Sequence, residues 1–183
     1  MSYLTNPYRY AVADVTKWIT SSPTTGMTFS ETAIPDDTLT LTTAGETHFA
    51  SSTITGNPTT DTITMSWKFG ADDAPDWYPA ALFSTSNTPV SWFPASNSYG
   101  VLAGAENVYI GYGSTIGTVI SPVVVGDICK FVAESNVVKF YVDSGSGFVE
   151  KHEFVTAPES HTYYFNAISS NASGGVTQTI QLL

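Results

Sequence analysis

The densest group of side chains able to contact a ligand is aromatic: Trp77, Tyr78, Trp92, Phe93 and Tyr99, with Asp76, Asn87 and Asn97 among them and prolines stiffening the loops. Sugar rings stack their apolar faces on aromatic side chains while amides and carboxylates take the hydroxyls. Asp76, Trp77, Tyr78, Trp92, Asn97 and Tyr99 are therefore the candidate ligand-binding set. The same residue types also anchor protein interfaces or plug one end of a β-core. On sequence, all three uses stay open.

Catalytic chemistry has less to draw on. Glycoside hydrolysis needs two carboxyl groups flanking the scissile bond. Glu150 and Glu153, three positions apart in GFVEKHEF, point to opposite faces of a regular strand and share one only if the strand bulges. His48, His152 and His161 are scattered, KHEF lacks the second histidine of a zinc-protease helix, and no Gly-x-Ser-x-Gly elbow occurs. Asp72, Asp73 and Asp76 offer hard oxygen ligands for calcium, but their spacing matches no EF-hand loop, and Asp is common in hydrated turns. The expectation is no catalytic residue, no metal and no cofactor.

The elements that must position these groups read as strands. Gly126 to Asp143 is a complete hairpin: Cys129, Phe131 and Ala133 share one face of its first strand, Val138, Phe140 and Val142 one face of its second, and Lys130 and Lys139 point away. With Glu134, Ser135 and Asn136 turning the chain, Phe131 falls opposite Phe140, an aromatic pair that fixes register. Ile63, Met65, Trp67 and Phe69 alternate with Thr62, Thr64, Ser66 and Lys68 in the cleanest period-two run. About twelve to fourteen strands at roughly ten-residue intervals, with no long amphipathic helix, predict an all-β, two-sheet antiparallel sandwich.

Residues 1–17 read as an N-terminal arm, with Tyr3, Leu4, Tyr8 and Tyr10 as apolar handles for a neighbouring subunit, and 18–183 as a single sandwich domain. Six Lys and Arg against sixteen Asp and Glu give a net charge of −10, which repels a phosphate backbone and argues against nucleic acid. The single cysteine, Cys129, excludes an internal disulfide and sits on an apolar strand face, where an inert thiol is expected. Neither a signal-peptide pattern nor an apolar run of membrane-spanning length is present, so export by another route, such as lysis with assembled virus particles, is the expectation for an extracellular role.

The C-terminal third resembles the closing strands of concanavalin A-like jelly rolls, the lectin/glucanase and laminin-G sandwiches. The resemblance rests on Gly126-Asp127, the strand Ile128 to Ala133, the turn Glu134 to Asn136, the strand Val137 to Asp143 and the terminal YYFNAISSNASGGVTQTIQLL. It implies a jelly-roll sandwich of a kind found in lectins, in polysaccharide-active enzymes and on bacteriophage capsids, tails and fibres. The low-charge Ser/Thr/Gly-rich surface is most similar to the phage setting. The reading this implies is a non-enzymatic structural and recognition protein on a virion surface, a capsid decoration, tail or fibre component, with copies of itself or other virion proteins as partners and cell-surface glycan as a possible one. A carbohydrate-binding module is the alternative, and a polysaccharide-cleaving enzyme comes third.

Overall fold

The computed structural model describes Ile19 and residues 27–29, 38–41, 47–72, 80–88, 97–103, 108–113, 115–120, 123–124, 126–170 and 178–183. Thirteen strands are present among them: β1 (Met27–Phe29), β2 (Thr38–Leu41), β3 (Thr47–Gly56), β4 (Ile63–Asp72), β5 (Ala80–Ser84), β6 (Ser98–Ala103), β7 (Val108–Tyr112), β8 (Thr115–Ile120), β9 (Ile128–Glu134), β10 (Val137–Asp143), β11 (Val149–Glu153), β12 (Tyr163–Ser170) and β13 (Gln178–Leu182). They form a seven-stranded sheet, β1-β2-β13-β4-β9-β10-β11, and a six-stranded sheet, β3-β12-β5-β6-β7-β8. Every pairing is antiparallel. Among the described residues no helix is long and apolar enough to cross a membrane.

The hairpin β9–β10 has the register its residues demand, with Phe131 opposite Phe140 and Cys129 opposite Val142. Its turn is tighter than the sequence suggests: Glu134 already pairs with Val137, so only Ser135 and Asn136 turn the chain. Both have positive φ, 50° and 65°, the two-residue turn whose twist matches that of the flanking strands. Inward from this hairpin and from β4 come Ile63, Met65, Trp67, Cys129, Phe131, Ala133, Val138, Phe140 and Val142, all buried. The six-stranded sheet answers with Ala81, Phe83, Tyr99, Val101, Ile110, Tyr163, Phe165 and Ala167. Trp67 joins the layers, its ring centre 5.2 Å from Phe131 in its own sheet and 5.5 Å from Phe165 in the other. Burial pushes the Cys129 thiol well above its ordinary range, with the Asp127 carboxylate adding to the shift, so the sulfur stays protonated in the core.

Along one row, the six-stranded sheet is also covered on the side away from this core. Ser51, Asn166, Leu82, Gly100 and Gly111 stand in register across five neighbouring strands, and all five are buried. The turn after β5 reaches back over this row. Asn166 Nδ2 donates to the Ser86 carbonyl at 3.0 Å and, more weakly, to the Tyr164 carbonyl at 3.3 Å. Ser51 Oγ lies 2.6 Å from both Asn166 Oδ1 and the Asn87 carbonyl, and with one hydrogen it donates to one of them at a time.

At β11 the strand does bulge. Lys139 pairs with Glu153 and Tyr141 with Glu150, which leaves Lys151 as the extra residue and turns both glutamates to the outer face. Each carboxylate accepts from Lys139 Nζ at 3.0 Å, so the two Oε2 atoms are at most twice that distance apart. These hydrogen bonds hold the Lys139 ammonium well above its ordinary range.

Candidate functional site

Among the described residues the two sheets end at β1, β11, β3 and β8, and the edge strands β8 and β11 flank a cavity of about 360 Å³. Its walls are Ile110, Gly111 and Tyr112 of β7, Thr115 and Gly117 of β8, His152 of β11, and Phe154, Val155 and Thr156 just beyond. The alternation of β7 explains the near wall: Ile110 and Tyr112 face inward and Gly111 outward, with a register shift between Ile110 and Gly111. After β11 the chain stays pinned to its sheet by Phe154 N–H donating to the Val138 carbonyl at 2.9 Å. That bond carries Phe154 into the core and leaves Val155 97% exposed at the rim.

The back of the cavity is aromatic. Tyr99 packs 5.0 Å from Tyr112 and edge-on, at 5.1 Å, against Phe154, while His152 sits edge-on to Phe154 at 4.9 Å. A chain of polar contacts runs along one side. Tyr112 OH donates to Asn97 Oδ1 at 2.9 Å, Asn97 Nδ2 donates to Glu159 Oε2 at 2.9 Å, and His161 Nε2 lies 3.2 Å from the same carboxylate oxygen. Asn97 holds its place with a left-handed backbone, φ 52°, which Asn adopts more readily than most residues.

Of the ligand-binding set read from sequence, Asn97 lies half-buried in this polar chain. Tyr99 is not a surface group: it is fully buried, and its hydroxyl donates to the Thr156 carbonyl at 3.0 Å, so it braces the cavity from behind. Burial pushes its hydroxyl well up from the ordinary value and raises that of Tyr163, so both rings are neutral at physiological pH. Asp76, Trp77, Tyr78 and Trp92 lie outside the described residues, as do the arm residues Tyr3, Leu4, Tyr8 and Tyr10 and the candidate calcium ligands Asp73 and Asp76. The residues that sequence reasoning passed over are Tyr112, Thr115, Phe154 and Thr156, while His152 was weighed only as a metal or catalytic group. The available signal was the Gly111-Tyr112-Gly113 run beside a strand that is β-branched at every position but Gly117, and an aromatic two positions after His152.

Burial lowers the His152 pKa, so the ring is a neutral donor and acceptor at pH 7. The unfolded chain then binds the proton more readily than the folded one, and stability falls as the pH drops through the ordinary histidine range toward the lowered value. His152→Gln is expected to flatten the acid side of the Tm-against-pH curve between about pH 6.5 and 5, where the unperturbed histidine titrates. An unchanged slope would show that this imidazole titrates as if in water.

No family model matches the chain, and no curated protein matches it. Solved structures do. The TRIM65 PSpry domain superposes with a TM-score of 0.67 at 10% identity, covering 91% of this chain and 88% of that one. The fold is a concanavalin A-like jelly roll. The carbohydrate-binding module CBM66 from Bacillus subtilis follows the same path with a TM-score of 0.51 at 17% identity, over 91% of this chain and 92% of that one. The alginate lyase AlgAT5 of polysaccharide lyase family 7 gives 0.56 at 12% identity, over 92% of each chain. A PSpry domain, a carbohydrate-binding module and a lyase share this scaffold, so chemistry has to be argued from the residues of each.

Proposed function

We propose that this chain is a non-catalytic recognition module that binds carbohydrate, with a sugar ring seated in the cavity between β7–β8 and the segment after β11. The observation that carries the reading is the lining itself. Tyr112 and Phe154 present aromatic surface, and the Thr115 and Thr156 hydroxyls and a neutral His152 supply hydrogen-bonding groups around it. A cavity of about 360 Å³ with an apolar back and a few convergent polar groups is of the size and character that small ligands occupy. The likeness to a carbohydrate-binding module and to an alginate lyase supports a saccharide as the ligand class.

Binding without catalysis is favoured by where the carboxylates are. Glu150 and Glu153 are close enough to flank a glycosidic bond, but they stand on the outer sheet face, clasped on one lysine, away from the cavity. Both carboxylates are taken up by the Lys139 ammonium at 3.0 Å rather than presented to a ligand. Neither glutamate lines the cavity, nor does any other acidic residue among those described.

The test is a glycan array followed by calorimetry. Thr115 is exposed, so Thr115→Trp fills the cavity mouth without disturbing the core. It is expected to lower affinity at least tenfold while Tm stays unchanged. A blank array for the wild type overturns the reading. Trp77→Ala and Trp92→Ala ask whether the loop aromatics extend the same site.

A second reading sets the module on a virus particle as a capsid, tail or fibre component. It is favoured by the apolar pair where the chain enters β11, Phe148 at 41% and Val149 at 56% exposed, a surface that suits cover by another subunit. Particle binding that survives deletion of residues 1–17 and substitution of Phe148 and Val149 would remove its support.

A further inference from the structure

Four side chains in the cavity wall, among the residues described, carry a polar group: Tyr112, Thr115, His152 and Thr156. Three of them can serve a ligand as donor or as acceptor. A threonine hydroxyl turns to suit its partner, and a neutral imidazole has two tautomers. Tyr112 differs, because its hydroxyl is one end of a chain of hydrogen bonds whose direction is imposed from the other end.

That far end is Glu159. Its backbone N–H donates to the hydroxyl of the fully buried Tyr163 at 3.2 Å, which anchors the segment after β11. A carboxylate has no hydrogen to give and only accepts. The Asn97 amide must therefore turn Nδ2 toward Glu159 Oε2, at 2.9 Å, which leaves its Oδ1 facing the Tyr112 hydroxyl, also at 2.9 Å. By the same rule His161 Nε2, 3.2 Å from that carboxylate oxygen, is a second donor to it. An amide oxygen also only accepts, so the single Tyr112 hydrogen is committed to Asn97. An amide on its own fits either way round, and Glu159 decides between the two. What the Tyr112 oxygen has left to offer is a lone pair, and any group brought to it has to be a donor.

We propose that Glu159, acting through Asn97, is a specificity determinant of the cavity: it fixes Tyr112 as an acceptor, and so selects a saccharide that presents a hydroxyl there and refuses one that presents a carboxylate. The inference rests on the saccharide reading and narrows it to neutral sugars. A uronate oxygen at this position would meet the Tyr112 oxygen with no hydrogen between them, and a site built to bond a hydroxyl rejects an analogue that lacks it. Glu159 adds repulsion of its own, two hydrogen bonds away from the Tyr112 oxygen on a chain of net charge −10. Neither Glu159 nor Asn97 lines the cavity, so both are positioning residues.

Calorimetry on matched sugars tests this, after an array that carries neutral glycans beside uronic-acid oligomers, alginate oligomers included. The probes are the neutral glycan that binds tightest and its counterpart oxidised to the uronate. The wild type is expected to prefer the neutral member by about tenfold, the worth of one hydrogen bond. The Glu159 side chain is largely exposed, and Glu159→Gln keeps its size while adding a donor, so the Asn97 amide can reverse and the Tyr112 hydroxyl can donate. That variant is expected to keep the wild-type Tm and to cut the preference by about threefold, a ratio that a merely structural role would not move. A ligand-free measurement checks the chain itself. Asn97→Asp sets two carboxylates against each other across 2.9 Å and is expected to lower Tm by about 2–4 °C. Glu159→Gln in the same protein restores a donor and is expected to recover the loss. A uronate bound as tightly as its neutral counterpart, a preference unchanged by Glu159→Gln, or an Asn97→Asp protein as stable as the wild type overturns the proposal. The two readings fail apart: a wild type that takes uronates ends the selection alone, whereas a blank array ends the saccharide reading and the selection with it.

Discussion

Trp67→Ala is expected to lower stability by about 3–5 kcal/mol, among the largest effects of any single truncation in this core. Trp67 is 3% exposed and its ring lies 5.2 Å from Phe131, 6.1 Å from Phe140 and 5.5 Å from Phe165. The first two belong to its own sheet and the third to the other, so truncation removes contacts within one layer and between both. Neighbours fixed in two antiparallel ladders cannot move in to fill the space, which places the cost toward the upper part of the range for aromatic deletions. Chemical denaturation should show a lower midpoint with an unchanged m-value. A loss under 1 kcal/mol would mean that the sheets close over the gap.

Asn166→Asp changes almost no volume and is expected to cost about as much, for an electrostatic reason. The Asn166 side chain is fully buried and donates through Nδ2 to the Ser86 and Tyr164 carbonyls. A carboxylate there puts an oxygen against two carbonyl oxygens and buries a charge with no cation beside it among its described partners. Breaking such a network costs about 3–5 kcal/mol when an uncompensated charge remains. The sign with pH follows from linkage. Burial raises the introduced acid's folded pKa above its unfolded value near 4, so the folded state binds more protons, and stability falls as pH rises through the interval between the two. Thermal melts of the variant should therefore approach the wild type at about pH 4 and diverge toward neutrality. A difference in Tm that is the same at every pH would show that the carboxylate finds another donor.

Much of the architecture was legible because a strand with one buried face writes its orientation into alternate residues. Cys129, Phe131 and Ala133 against Val138, Phe140 and Val142 specify a hairpin and its register without outside help. The resemblance of the closing strands to concanavalin A-like sandwiches pointed to the same two-layer fold. The bulge at Lys151 was legible only as a condition for Glu150 and Glu153 to share a face, since one extra residue leaves no periodic trace. The cavity was not legible. Its walls come from β7, β8 and β11, which meet only because both sheets end on the same side of the sandwich, and sheet order is a long-range property. Composition drew attention to the aromatic loops instead, and of that set Asn97 and Tyr99 touch residues that line the cavity, Tyr112 and Thr156, without lining it themselves.

The registered row Ser51, Asn166, Leu82, Gly100 and Gly111 limits how this scaffold can be redesigned. A row buried on the outer side of its sheet has no spare surface to randomise, and substitutions along it would be tested by packing before any new affinity could be selected. Variation is tolerated far better on the opposite layer, where Thr64, Ser66, Lys130, Lys139 and Tyr141 alternate outward over a rigid interior. Engineered specificities are best installed there, as a binding platform on the back of the molecule that leaves both the cavity and its flanking edge untouched.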